Sequence, residues 1–204
     1  MLKKIIFIVF FPFFLNGQTA FISGNDTICD NGIPAEVKVS FTGTAPFSFS
    51  YNINGVMETV DSTTLNPYFI STKVSGIYTL VSFSDNNSFG TVSGSGLVTV
   101  LPSPSAVIHI DRDTLSVVYP VANFLDASEG NIVAWDWYFG DNTLNMNTES
   151  VIHTYKDSSG VYEASLIVYD SNGCSDTTTH IIWVTNEYWM YIPNSFTPDN
   201  DKIN

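Results

Sequence analysis

A chain of 204 residues carrying 20 acidic and 7 basic side chains, with a formal net charge of −13, has room for two domains of roughly 100 residues each. Such an acidic chain, with no basic patch, repels phosphate backbones, so nucleic acid is excluded as a partner. Three histidines, no nucleophile elbow, no metal-ligand cluster and no phosphate-cradling glycine loop point away from an enzyme and from any cofactor.

Residues 1–17 have the layout of a secretory leader. Lys3 and Lys4 form a positive start, residues 5–15 are apolar apart from Pro12, and Asn16, Gly17 and Gln18 close the run. The apolar stretch is shorter than the roughly 20 residues a bilayer span needs, and no later stretch is long enough either. Removal of the leader takes two of the seven basic residues and none of the acidic ones. A secreted or outer-surface location is therefore expected.

The remainder reads as strands and turns. Ala35, Val37, Val39 and Phe41 alternate with Glu36, Lys38 and Ser40, and Phe47, Phe49, Tyr51 and Ile53 alternate with Ser48, Ser50 and Asn52. Period-two alternation puts one face in a core and the other in water. The second run ends at Asn54-Gly55, the pair that best tolerates the positive φ angles of a tight hairpin. Further strands are predicted at 77–83 and 97–100. Residues 101–105, Leu-Pro-Ser-Pro-Ser, form a proline-stiffened linker with nothing to bury. Strands resume at 106–110, 115–118, 121–124, 132–139, 151–154, 161–169 and 178–185, with Trp135, Trp137 and Phe139 on one side of theirs. The chain is thus expected to be all-β, with two tandem β-sandwich domains at 18–102 and 103–187.

A short repeat supports that division. Ser75-Gly76-Ile77-Tyr78 recurs as Ser159-Gly160-Val161-Tyr162, each followed by an alternating strand and an Asp/Asn-rich turn. A tyrosine at such a strand start is placed for a tyrosine corner, with the ring buried and the hydroxyl bonded to nearby backbone.

Three segments carry family resemblances. Trp137-Tyr138-Phe139-Gly140-Asp141, His153-Thr154-Tyr155, Gly160-Val161-Tyr162 and the run from Leu166 to Cys174 resemble, in order and spacing, the PKD domain family across about 105–186. Asn142 departs from the family's glycine, but asparagine tolerates a left-handed backbone. The resemblance implies structural roles for Trp137, Phe139, Gly140, Asp141, His153, Tyr155, Gly160 and Tyr162: ring packing, a special turn and its capping. It also implies service as a spacer or as a protein- or sugar-binding unit beside catalytic domains. Pairing Asp141 with His153 as catalytic groups is the competing reading; no nucleophile motif accompanies them. Trp135 and Tyr138 are the candidate ligand-facing aromatics.

Asp26-Thr27-Ile28-Cys29, the 42–47 segment and Gly76-Ile77-Tyr78-Thr79-Leu80 resemble the immunoglobulin-like modules that precede PKD domains in surface proteins of gliding bacteria. Such modules often place a second cysteine in the turn after the tyrosine strand, and residues 85–90 contain none. With Cys29 and Cys174 in different domains, no disulfide is expected. Residues 188–204, including Tyr191-Ile192-Pro193-Asn194-Ser195-Phe196, resemble the opening of the gliding-motility-associated C-terminal domain, which implies type IX export and surface attachment. Asp199, Asp201 and Asn204 are spaced so that calcium is an alternative to a solvated turn; the ligand run is incomplete, and no metal is expected. The expected partners are an extracellular protein or a polysaccharide.

Overall fold

The computed structural model describes residues 17–156 and 159–187. The leader, the 188–204 segment and the calcium candidates Asp199, Asp201 and Asn204 lie outside them, apart from Gly17 at the leader's end. No helix among the described residues is long and apolar enough to cross a membrane. The fold is all-β, and the chain divides into two compact units with the boundary between Pro102 and Ser103.

Unit 1 packs a four-stranded sheet on a five-stranded one. The first contains β1 (Thr19–Ser23), β3 (Ala35–Phe41), β6 (Tyr68–Thr72) and β8 (Thr91–Gly94), in the order β6-β3-β1-β8. The second contains β2 (Asn25–Cys29), β4 (Phe47–Ile53), β5 (Val56–Thr63), β7 (Gly76–Ser84) and β9 (Gly96–Leu101), in the order β2-β9-β7-β4-β5. The alternating residues of β3 all face the core, as expected from their period. Phe41 sits among Phe47, Phe49 and Phe83 with ring centroids 4.7–5.4 Å apart. Asn54 and Gly55, at φ 51° and 85°, turn β4 into β5 with Ile53 opposite Val56. Two irregularities bend β4's partners: residues 61 and 62 of β5 oppose Ser48 alone, and Val81 of β7 has no partner between Ser50 and Tyr51.

A single glycine lets the first strand serve both sheets. β1 pairs with β3 and β8, then after Gly24, at φ 130°, the chain continues as β2 in the other sheet, parallel to β9. The chain makes the same crossing, in the same direction, between β8 and β9, where a Cβ on Gly96 would come within 2.9 Å of the Gly24 carbonyl. Alternation cannot reveal such a strand, because its buried side changes partway.

Unit 2 packs a three-stranded sheet, β10 (Ile108–Ile110), β12 (Val121–Asp126) and β15 (Ser150–Thr154), on a five-stranded one. The latter contains β11 (Thr114–Ser116), β13 (Ile132–Tyr138), β14 (Leu144–Met146), β16 (Gly160–Asp170) and β17 (Ser175–Thr185), in the order β11-β17-β16-β13-β14. Here too the opening strand changes sheets: β10 pairs with β12, and β11 runs parallel to β17. Trp137, Tyr155, Phe124, Phe139, Leu166 and Ile182 are the large buried side chains of its core.

The repeated Gly-x-Tyr segment has a local physical basis. The Tyr78 ring is buried, and its hydroxyl donates to the Val74 carbonyl at 2.9 Å and lies 2.6 Å from Thr72 Oγ1. The strands that follow lead into Asp85, just past β7, and Asp170, the last residue of β16, whose carboxylates each accept backbone N–H groups of the next turn: Asn87 and Ser88 in one, Asn172 and Cys174 in the other. Asp85 also accepts the Thr44 N–H, and these bonds hold its carboxyl below the usual carboxylate range. Tyr78→Phe is expected to destabilise unit 1 by about 1 kcal/mol, because the hydroxyl of a buried ring gives up its hydrogen bonds to Val74 and Thr72; urea unfolding followed by tyrosine fluorescence measures it.

The cysteines correct the sequence reading. Cys29 and Cys174 are disulfide-bonded rather than thiols. The expectation rested on a cysteine missing from one turn and on the assignment of the two cysteines to different domains, and neither decides pairing, which is a matter of sulfur geometry rather than of linear position.

Candidate functional site

The motif residues of unit 2 gather where strand β13 leaves one sheet and strand β15 passes in the other. β13 alternates so that Trp135 and Trp137 point inward, and Phe139 follows on the same side. Trp137 is fully buried, meets Phe124 edge-on at 5.9 Å, and donates its indole N–H to the Thr148 carbonyl at 2.9 Å. Trp135 is half-buried against the same core, and its Nε1 donates to Asp126 Oδ2 at 2.7 Å. Its polar atom is thus already engaged within the fold.

The chain then turns at Gly140 and Asn142, both left-handed at φ 80° and 68°. Gly140 lies so close to β16 that a Cβ would sit 2.7 Å from the Glu163 backbone N and O. That approach presents Asp141 to the neighbouring sheet. One carboxylate oxygen accepts both the backbone N–H (3.1 Å) and the hydroxyl of Thr143. The other lies 2.8 Å from His153 Nε2. Burial works against the charge, but the bonds from Thr143 and His153 outweigh it, and the Asp141 carboxyl is held below its usual range.

His153 is enclosed on its other sides. Its ring stacks on Phe139 with centroids 4.0 Å apart and planes 4° from parallel, and meets Tyr155 edge-on at 4.7 Å. Tyr155 is buried and lies 4.6 Å from Tyr162. Its hydroxyl has no hydrogen-bond partner among the described residues; burial, then the negative Asp141, pushes its phenol pKa up. Gly160 opens β16 opposite Val184, and a Cβ there would touch the Tyr162 ring at 3.4 Å. Seven of the eight residues named for the motif therefore meet in one packed region around the Asp141–His153 pair, with Gly160 at the strand start beside Tyr162.

Tyr138 points the other way. It lies on the outer face of the five-stranded sheet, 41% exposed, between Leu144 of β14 and Ser165 of β16. Two positions along, Asp136 accepts the Tyr169 hydroxyl at 3.0 Å. Sequence reasoning did not single out Asp136, Tyr169, Thr143 or Asp126. Alternation with Trp135 and Trp137 could have placed Asp136 outward, and Thr143, two residues after Asp141, has the spacing of an Asx turn. No group of three or more potential metal-ligating side chains occurs among the described residues.

Residues 102–185 match the family model described as PKD domain. Collagenase ColA of Clostridium perfringens is 32% identical over 147 residues, which cover 68% of this chain and 12% of that protein; the chain thus spans a small part of its relative's length. The PKD1 domain of the Vibrio cholerae metalloprotease PrtV is 27% identical, with a TM-score of 0.35, covering 40% of this chain and 96% of that one. Fibronectin(III)-like modules of Clostridium thermocellum CbhA are 14% identical, with a TM-score of 0.36, covering 85% of this chain and all of theirs.

Proposed function

We propose, starting from the PKD domain at residues 102–185, that the chain is a non-catalytic secreted or cell-surface protein. Its immunoglobulin-like module at 18–102 and PKD module at 103–187 space or attach other parts of an extracellular assembly, through contact with protein or polysaccharide. The observation that carries this reading is the fate of the two groups best suited to chemistry. Asp141 spends both oxygens on Thr143 and His153, and His153 is sandwiched by Phe139 and Tyr155. A general base needs a lone pair facing substrate, and this pair is turned into the fold. The leader-like start and the gliding-motility-associated C-terminal resemblance support export by the type IX route and retention at the outer surface.

A second reading is a carbohydrate-binding accessory module, favoured by Tyr138, an exposed aromatic on the outer face of a sheet. Pull-down on insoluble chitin and cellulose separates the two. No retention is expected on either. Retention that Tyr138→Ala abolishes would establish the sugar-binding reading, and hydrolytic turnover abolished by Asp141→Asn in a folded protein would overturn both.

A further inference from the structure

We infer that the Asp141–His153 pair is an acid-sensitive clasp that locks the two sheets of unit 2 together along one side and releases that side before the core unfolds. Asp141 belongs to the turn between β13 and β14 of the five-stranded sheet, while His153 is on β15 of the three-stranded one, so their 2.8 Å contact joins the layers. Two further polar links cross or border the same side, Trp135 to Asp126 and Trp137 to the Thr148 carbonyl. Both of those use an indole N–H donor, which does not titrate; one acceptor is the Thr148 backbone carbonyl and the other the Asp126 carboxylate, whereas the Asp141 link pairs a carboxylate with an imidazole. The pair is shielded from water without being sealed, with side-chain exposures of 15% and 12%.

The groups facing Asp141 define what its protonation would change. His153 lies on β15, Thr143 precedes β14, Tyr155 follows β15, and Tyr162 stands behind Tyr155 on β16. Glu163 approaches Gly140 through its backbone, and its residue is exposed. Neutralising Asp141 removes the negative charge held against the imidazole and turns one accepting oxygen into a hydroxyl. Because folding depresses this carboxyl's pKa, the contribution is complete above the unfolded carboxylate value near ~3.9 and is lost as pH falls through the lower folded value. β14 is only three residues long and pairs with β13 alone, and β15 is an edge strand paired with β12 alone, so each is held in its sheet along one side.

Native-state hydrogen exchange on the full chain, expressed as protection relative to intrinsic rates at each pH, tests this. At neutral pH, Asp141→Asn and His153→Gln are each expected to lower protection of the β14 and β15 amides by roughly tenfold or more, with β16 and β17 unchanged. Wild type is expected to converge on the variants as pH falls below 4. Retained β14 and β15 protection in the variants, or an equal loss across β16 and β17, would overturn the clasp. If neither variant folds, the wild-type acid series decides alone: loss in β14 and β15 ahead of β16 and β17 supports it, and simultaneous loss refutes it.

Discussion

Trp137→Ala is expected to cost unit 2 about 3–5 kcal/mol, the range for emptying a fully packed aromatic site. The indole is wholly buried, meets Phe124 edge-on, and is the donor for the Thr148 carbonyl. Truncation therefore opens a cavity and strands an acceptor at once, and the two costs add. For a domain of this size each kcal/mol moves the midpoint by about 4–8 °C, so a fall of more than about 12 °C is expected. Trp135 and Trp183, both in unit 2, report its thermal unfolding by fluorescence in the variant. A loss below about 1 kcal/mol would mean that this side chain is not the centre of the core.

Gly140→Ala is expected to cost about 2–4 kcal/mol, although it adds a single methyl group. A left-handed backbone burdens any side chain by about 1–2 kcal/mol, and here the new Cβ would also overlap the Glu163 backbone at 2.7 Å. The turn must move away from β16, carrying Asp141 from His153. Asn142→Gly provides the contrast: its residue is also left-handed, at φ 68°, and asparagine already tolerates that region, so a change within about 1 kcal/mol is expected. Equal losses at the two positions in chemical denaturation would show that backbone conformation alone, and not the approach to β16, sets the requirement for glycine.

Much of this architecture was legible because its strongest strands are buried on one face. β3 and β4 betrayed themselves by alternation, and Asn54-Gly55 by turn chemistry. The strands that escaped notice lack that asymmetry. β5 is exposed along most of its length, β6 buries a single residue, and β14 spans three residues. β1 and β2 escaped for another reason, since one run of chain serves two sheets in turn. At the candidate site, residue types and spacing pointed to Asp141, His153 and the surrounding rings. Partner identity did not follow from them: that Asp126 would take the Trp135 indole, or Tyr169 reach Asp136, depends on cross-sheet and cross-strand register. Disulfide formation was likewise a matter of distances that linear spacing does not encode.

The outermost strands bear on a hazard particular to sandwiches linked in tandem. Two similar β folds on one chain meet at high local concentration, and an open ladder on one invites the other to add a strand, the usual route to aggregates and misassembly. β5 lies at such an edge with Glu58 and Asp61 along it and an extra residue breaking its register, so an incoming strand would meet unmatched charges and a broken hydrogen-bond pattern. β14, at the corresponding edge of the other unit, offers too few residues to template anything.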